Sequence, residues 1–98
     1  MKRSGKGQSA HDKKVQQIAR KLTNQNWRVK ADISGYDKPS PIGKDKRRPD
    51  IEATKQGHRR LIEVETPDSL TKDKKQQSTF RRHSGQKPGT SFDIQVTN

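Results

Sequence analysis

Residues 47–66, RRPDIEATKQGHRRLIEVET, constrain this chain more than any other stretch. Two runs within it alternate in the manner of strands, and Lys55, Gln56 and Gly57 form a short turn between them. Side chains alternate faces along a strand. Asp50, Glu52 and Thr54 therefore share one face of the first run, with Ile51 and Ala53 on the other. In the second run Leu61, Glu63 and Glu65 share a face, and Ile62 and Val64 lie opposite. Pairing the two runs side by side brings Asp50 toward Glu63 and Glu65. Three carboxylates so placed repel one another unless a cation or a proton sits among them. The competing reading is a solvated strand surface whose acids offset Lys55, Arg59 and Arg60.

Such a hairpin needs a core, and the composition allows only a thin one. Of 98 residues, 22% are hydrophobic and 35% charged, with a formal net charge of +12. These values approach those of disordered chains, so a wholly disordered basic tail is the first alternative. Against it, the apolar residues cluster as VQQIARKL, WRVKADI, RRLIEV and FDIQV, each with a helical or alternating period. The length fits one domain, and a partner subunit or bound nucleic acid is expected to add to its stability. The positive charge favours polyanions, nucleic acid foremost. No stretch is long and apolar enough to span a bilayer, and the basic N-terminus has no hydrophobic signal core. Without cysteine, disulfides and thiolate zinc sites are excluded. The expected location is the cytoplasm or nucleoid.

In chain order, residues 1–8 read as a flexible basic arm, and residues 9–98 as a single domain. Ser9 and Asp12 form a weak capping box, followed by the helical stripe Val15, Ile18, Ala19 and Leu22. Trp27, Val29, Ala31 and Ile33 alternate with polar residues, which predicts a strand with Trp27 in the core. Residues 34–48 form a long loop, whose Tyr36, Lys44, Lys46, Arg47 and Arg48 are placed to face a duplex. Pro67 ends the central strand, a helix is expected over residues 71–83, and Phe92, Ile94 and Val96 mark a last strand. The order helix-strand-strand-strand-helix-strand favours an α/β fold over an all-β barrel. His11, His58 and His83 lack any zinc-ligand spacing and read as surface groups, with His58 at the far end of the central strand from Glu63.

The chemistry that fits the acids is metal-assisted phosphodiester hydrolysis. Mg²⁺ or Mn²⁺ held by Asp50 and Glu63 would neutralise the phosphate and lower the pKa of bound water. The Val64 carbonyl is a further oxygen ligand for a hard cation, and Glu65 a ligand for a second ion or an orienting group for water.

The order of elements, Pro49-Asp50 and the acid-bearing LIEVE strand resemble the PD-(D/E)xK nuclease superfamily. Within it the chain is most similar to archaeal Holliday-junction resolvases and small phage or bacterial endonucleases. The resemblance spans nearly the whole chain from Ser9. It implies a restriction-endonuclease-like core with a mixed central sheet, and a metal-dependent endonuclease acting on duplex or branched DNA; the small core and the two-fold nature of branched substrates suggest a homodimer. It also implies Asp50 and Glu63 as metal ligands, Ser34 (of Ser34-Gly35) near the scissile phosphate, and a glutamine near the site, Gln77 or Gln76. Two positions depart from the family. Glu65 stands where its lysine usually lies, and Val15 where the resolvases carry a glutamate on the first helix, Asp12 being the nearest acid. The alternative is a nucleic-acid-binding protein that keeps this fold without cleaving.

Overall fold

The computed structural model describes residues 5–43, 46–72 and 74–97. Among them the elements run α1 (Gly5–Asn24), β1 (Arg28–Ala31), β2 (Ile51–Lys55), β3 (His58–Glu65), α2 (Pro67–Lys72), α3 (Lys74–Gln86) and β4 (Thr90–Val96). The fold is α/β. Its four strands form one mixed sheet in the order β1-β2-β3-β4, antiparallel except for the β3–β4 pair.

The α1 stripe folds as its spacing predicts. Val15, Ala19 and Leu22 are buried against Ala31, Ile51, Ala53, Ile62 and Val64, with Ile18 and Trp27 packed alongside. Asn26 ends the helix in the left-handed region at φ 70°. The Asn26 amide donates to the Thr23 carbonyl, and the Trp27 amide reaches back 3.0 Å to Leu22. That pairing is a Schellman cap, and it seats Trp27 beside Leu22 in the core. The helix begins earlier than expected: Gly5 to Gln8 are helical, so only residues 1–4 of the expected arm remain, and these lie outside the described residues.

β2 and β3 pair side by side as expected, with Ile51 opposite Ile62 and Lys55 opposite His58, so Lys55 belongs to the strand and not to the turn. The loop is thus two residues, Gln56 and Gly57, both at positive φ (50° and 83°). This is the type I′ geometry whose twist matches the flanking strands. On the sheet face away from α1, Leu61 packs with Phe80 of α3, Ile42 and Phe92, and the two phenyl rings lie 5.8 Å apart.

Three boundaries differ from expectation. The first strand stops at Ala31: the Asp32 amide still makes the last ladder bond to Asp50, but the chain then turns back so that the Asp37 carbonyl accepts from the Ala31 amide. Ile33 still packs on the core from the loop. The described residues over 71–83 are helical as expected, but the helical stretch already begins at Pro67 and still holds at Gln86. Thr66 caps it: Thr66 Oγ1 accepts from the Ser69 amide, and Ser69 Oγ accepts from the Thr66 amide. Finally, the long loop is anchored to the fold. Ile42 is buried and bridges to Arg47, while Gly43 at φ 77° lies where a Cβ would come within 2.7 Å of Thr79. Arg48 Nε donates to the Pro39 carbonyl, Lys46 is exposed, and Lys44 lies outside the described residues.

Candidate active site

The hairpin register carries the acids to one end of the sheet. Asp50 sits just before β2, and Glu63 and Glu65 lie near the end of β3. Asp50 and Glu63 interlock across the two strands. Asp50 Oδ2 accepts from the Val64 amide at 2.8 Å, and Glu63 Oε1 accepts from the Asp50 amide at 2.9 Å. Glu65 accepts a short hydrogen bond from Ser69 Oγ in the first turn of α2. Both glutamates are buried.

Glu63 is the electrostatic centre of this arrangement. Burial, then the charges of Asp50 and Glu65, push its carboxyl up to about 9, against hydrogen bonds from the Asp50 amide and Gln76. Among the described residues no lysine or arginine pairs with it, although the chain holds 23 of them. Glu52, on the same sheet face, makes the contrast. Burial alone would raise its carboxyl, but the Ser40 amide and Arg59 hold it below the usual glutamate value. Arg59 donates to Glu52 at 2.7 Å and also contacts His83 Nε2. The reading of strand acids as partners of neighbouring bases is therefore right for Glu52 and fails for Glu63.

Two residues join the site that the sequence placed elsewhere or left open. His11 is buried, not a surface group: its Nε2 lies 3.2 Å from Asp50 Oδ2 and its Nδ1 lies 3.2 Å from Asp12 Oδ1. It stands one turn before Val15 on the α1 stripe, so extending that stripe backward finds it. Asp12 thus reaches Asp50 through the imidazole. On α3, Gln76 donates to Glu63 Oε2 at 2.8 Å, whereas Gln77 caps the Leu70 carbonyl. Gln76 is the i−4 neighbour of Phe80, whose burial fixes which side of α3 faces the sheet.

Among the described residues, Ser34 makes no hydrogen bond to Asp50, Glu63 or Glu65, and it lines the loop side of α1. It is exposed across a shallow cleft from Asp12, Lys13 and Gln16. His58 is exposed at the start of β3, as expected. His83 is half-buried, and burial together with Arg59 and Lys87 lowers its pKa.

Among the described residues no three acid or imidazole side chains form a ready-made metal cage. The donor set nonetheless suits Mg²⁺, which takes one or two carboxylates and fills its octahedron with water and phosphate oxygens. Asp50 Oδ2 is taken up by the Val64 amide and His11, whereas each Glu63 oxygen keeps a second lone pair beyond its one hydrogen bond. The Glu65 carbonyl accepts from Thr97 on the β4 side, so the Val64 carbonyl, one residue back, points toward the Asp50 side.

Comparison of the chain with protein-family models, with curated proteins and with solved structures found no match.

Proposed function

We propose that the chain is a metal-dependent endonuclease hydrolysing phosphodiester bonds in DNA, built on a restriction-endonuclease-like core. The observation that carries this reading is Glu63, a buried acid without a basic partner among the described residues, interlocked with Asp50 in a chain of net charge +12. A buried carboxyl in that position holds a proton or a cation. Asp50 and Glu63, with the Val64 carbonyl, would hold Mg²⁺ or Mn²⁺. A divalent ion there supplies charge neutralisation of the phosphate and a more acidic bound water.

The protein's own groups keep that pair in place. The Val64 amide and His11 fix Asp50, while the Asp50 amide and Gln76 fix Glu63. Glu65, steadied by Ser69, adds negative charge beside them and is positioned to orient water or a second ion. Exposed Lys46 and Arg48 flank the loop that leads into Asp50 and offer contacts to the phosphate backbone. Branched duplex DNA is the substrate shape that the resolvase resemblance suggests, and a cytoplasmic or nucleoid location goes with it. No described helix is long and apolar enough to cross a membrane.

The test is cleavage of linear and four-way duplex DNA in Mg²⁺, in Mn²⁺ and in chelator. Cleavage in either metal and none in chelator is expected; cleavage in chelator would rule the mechanism out. One observation favours the non-catalytic alternative: Glu65, at the position of the family's lysine, is buried and held by Ser69. Tight DNA binding with no cleavage in any metal would establish that alternative.

We also propose a homodimer. The two apolar clusters are small, Val96 is 44% exposed on edge strand β4, and a symmetric pair would bury more surface. Sedimentation equilibrium without DNA is expected to give twice the chain mass, and a monomer at high micromolar concentration would contradict the dimer.

A further inference from the structure

At the end of β3 opposite the acids, the β2–β3 turn opens on a cleft of about 730 Å³. Its lining includes Arg28, Lys55, His58 and Arg59 and contains neither a carboxylate nor an apolar side chain. Arg59 is engaged by Glu52, but among the described residues no acid pairs with Arg28, Lys55 or the adjacent Arg60. Lys55 and Arg60 are held in place. Their cationic groups lie 5.8 and 5.6 Å from the centre of the Trp27 ring, and Lys55 Nζ also donates to the Gln25 carbonyl.

We infer that this cleft is a second phosphate-binding site, which takes the sugar-phosphate backbone of duplex nucleic acid away from the point of cleavage. Positive groups without acidic partners, fixed on a rigid hairpin, suit a polyanion. With no apolar aromatic or aliphatic side chain in its lining, the cleft lacks the anchors of a protein hot spot or a membrane-inserting surface. The strand sets the spacing. Five residues separate His58 from Glu63, about 17 Å at the rise of a β-strand. A duplex lying along β3 therefore meets the cleft about five base pairs from the acids, at 3.4 Å of axial rise per pair. This inference rests on the DNA reading of the acid cluster and adds a binding surface that the basic loop and arm do not provide.

Trp27 is the chain's single tryptophan and so reports on this end of the sheet. The experiment titrates wild type and the double variant Arg28→Gln/Lys55→Gln with a labelled 16-base-pair duplex in chelator, following anisotropy and Trp27 emission at several salt concentrations. In wild type, emission is expected to change saturably with duplex. The double variant is expected to bind about tenfold more weakly, with a salt slope shallower by about two, one for each lost phosphate contact. Arg20→Gln/Lys21→Gln removes the same charge from an exposed part of α1 and is expected to change affinity less than twofold. Unchanged affinity of the Arg28/Lys55 variant, or an equal loss in the α1 control, overturns the cleft and leaves the nuclease reading standing. So does tighter binding to anionic-lipid vesicles than to duplex. A wild type that binds no duplex overturns both.

Discussion

Asp50→Asn and Glu63→Gln are each expected to slow DNA cleavage on the order of a thousandfold while duplex binding is kept or strengthened. Both substitutions preserve approximate shape and remove the charge that holds a divalent cation. Metal stabilisation of a phosphoryl transition state contributes several kcal/mol, and each 1.36 kcal/mol is tenfold in rate, which sets the order of magnitude. Binding survives because neither substitution touches the basic groups that contact the phosphate backbone, and Asp50→Asn also removes a charge that repels phosphate. Single-turnover cleavage and a duplex titration on each variant separate the two effects. Full activity in either variant would remove Asp50 or Glu63 from the mechanism. Loss of binding in parallel with cleavage would point to a folding defect instead.

The second large effect is on stability and runs the opposite way. Without metal, Glu63→Gln is expected to stabilise the fold at neutral and alkaline pH. The Glu63 carboxyl is raised from 4.5 in the unfolded chain to about 9 in the folded one. The folded chain therefore keeps a proton that the unfolded chain releases, and the stability this provides is fully present below pH 4.5. It is lost progressively as pH rises to about 9, at about 1.4 kcal/mol per pH unit. By pH 7 the wild type has lost on the order of 3 kcal/mol. A glutamine does not titrate, and it can still accept from the Asp50 amide, with Gln76 turning its oxygen to the new amide group. Urea unfolding of both proteins in chelator from pH 5 to pH 9 measures the difference. It should be small at pH 5 and widen steadily. A constant difference over that range would mean that Glu63 is ionised throughout.

The parts of this fold that local chemistry decides were open to reading in the sequence. Gln56-Gly57 sets the hairpin loop, the alternation of Ile51, Ala53, Ile62 and Val64 sets its buried face, and the stripe from Val15 to Leu22 sets the side of α1 that packs on it. Thr66-Pro67 also carried a usable signal, a cap followed by proline at the first helical position, and it marks a start for α2 that periodicity alone missed. The extent of β1 was not readable in this way. Its alternation continues to Ile33, and the strand stops where the chain turns back to bring the Asp37 carbonyl to the Ala31 amide.

The site divides along the same line. Asp50, Glu63 and Glu65 follow from strand pairing, because a register fixed by a two-residue loop determines which carboxylates meet. His11 and Gln76 depend on how α1 and α3 dock, and one residue of rotation on a helix exchanges His11 for Asp12 or Gln76 for Gln77. Only the buried anchors Val15 and Phe80 settle that rotation, and each lies one turn from the residue it places. Ser34 was inferred from the family resemblance, not from packing, and the structure leaves it exposed beside α1.

The claim beneath all of this is that Asp50 and Glu63 hold a divalent cation where the metal-free chain holds a proton. Titration calorimetry of Mn²⁺ into the protein at pH 7, repeated in buffers of different ionisation enthalpy, measures ion binding and proton release together. The expected result is saturable binding with release of about one proton per ion in the wild type, and loss of that binding in both Asp50→Asn and Glu63→Gln. Saturable binding that releases no proton from the wild type, or no binding at all, would contradict it.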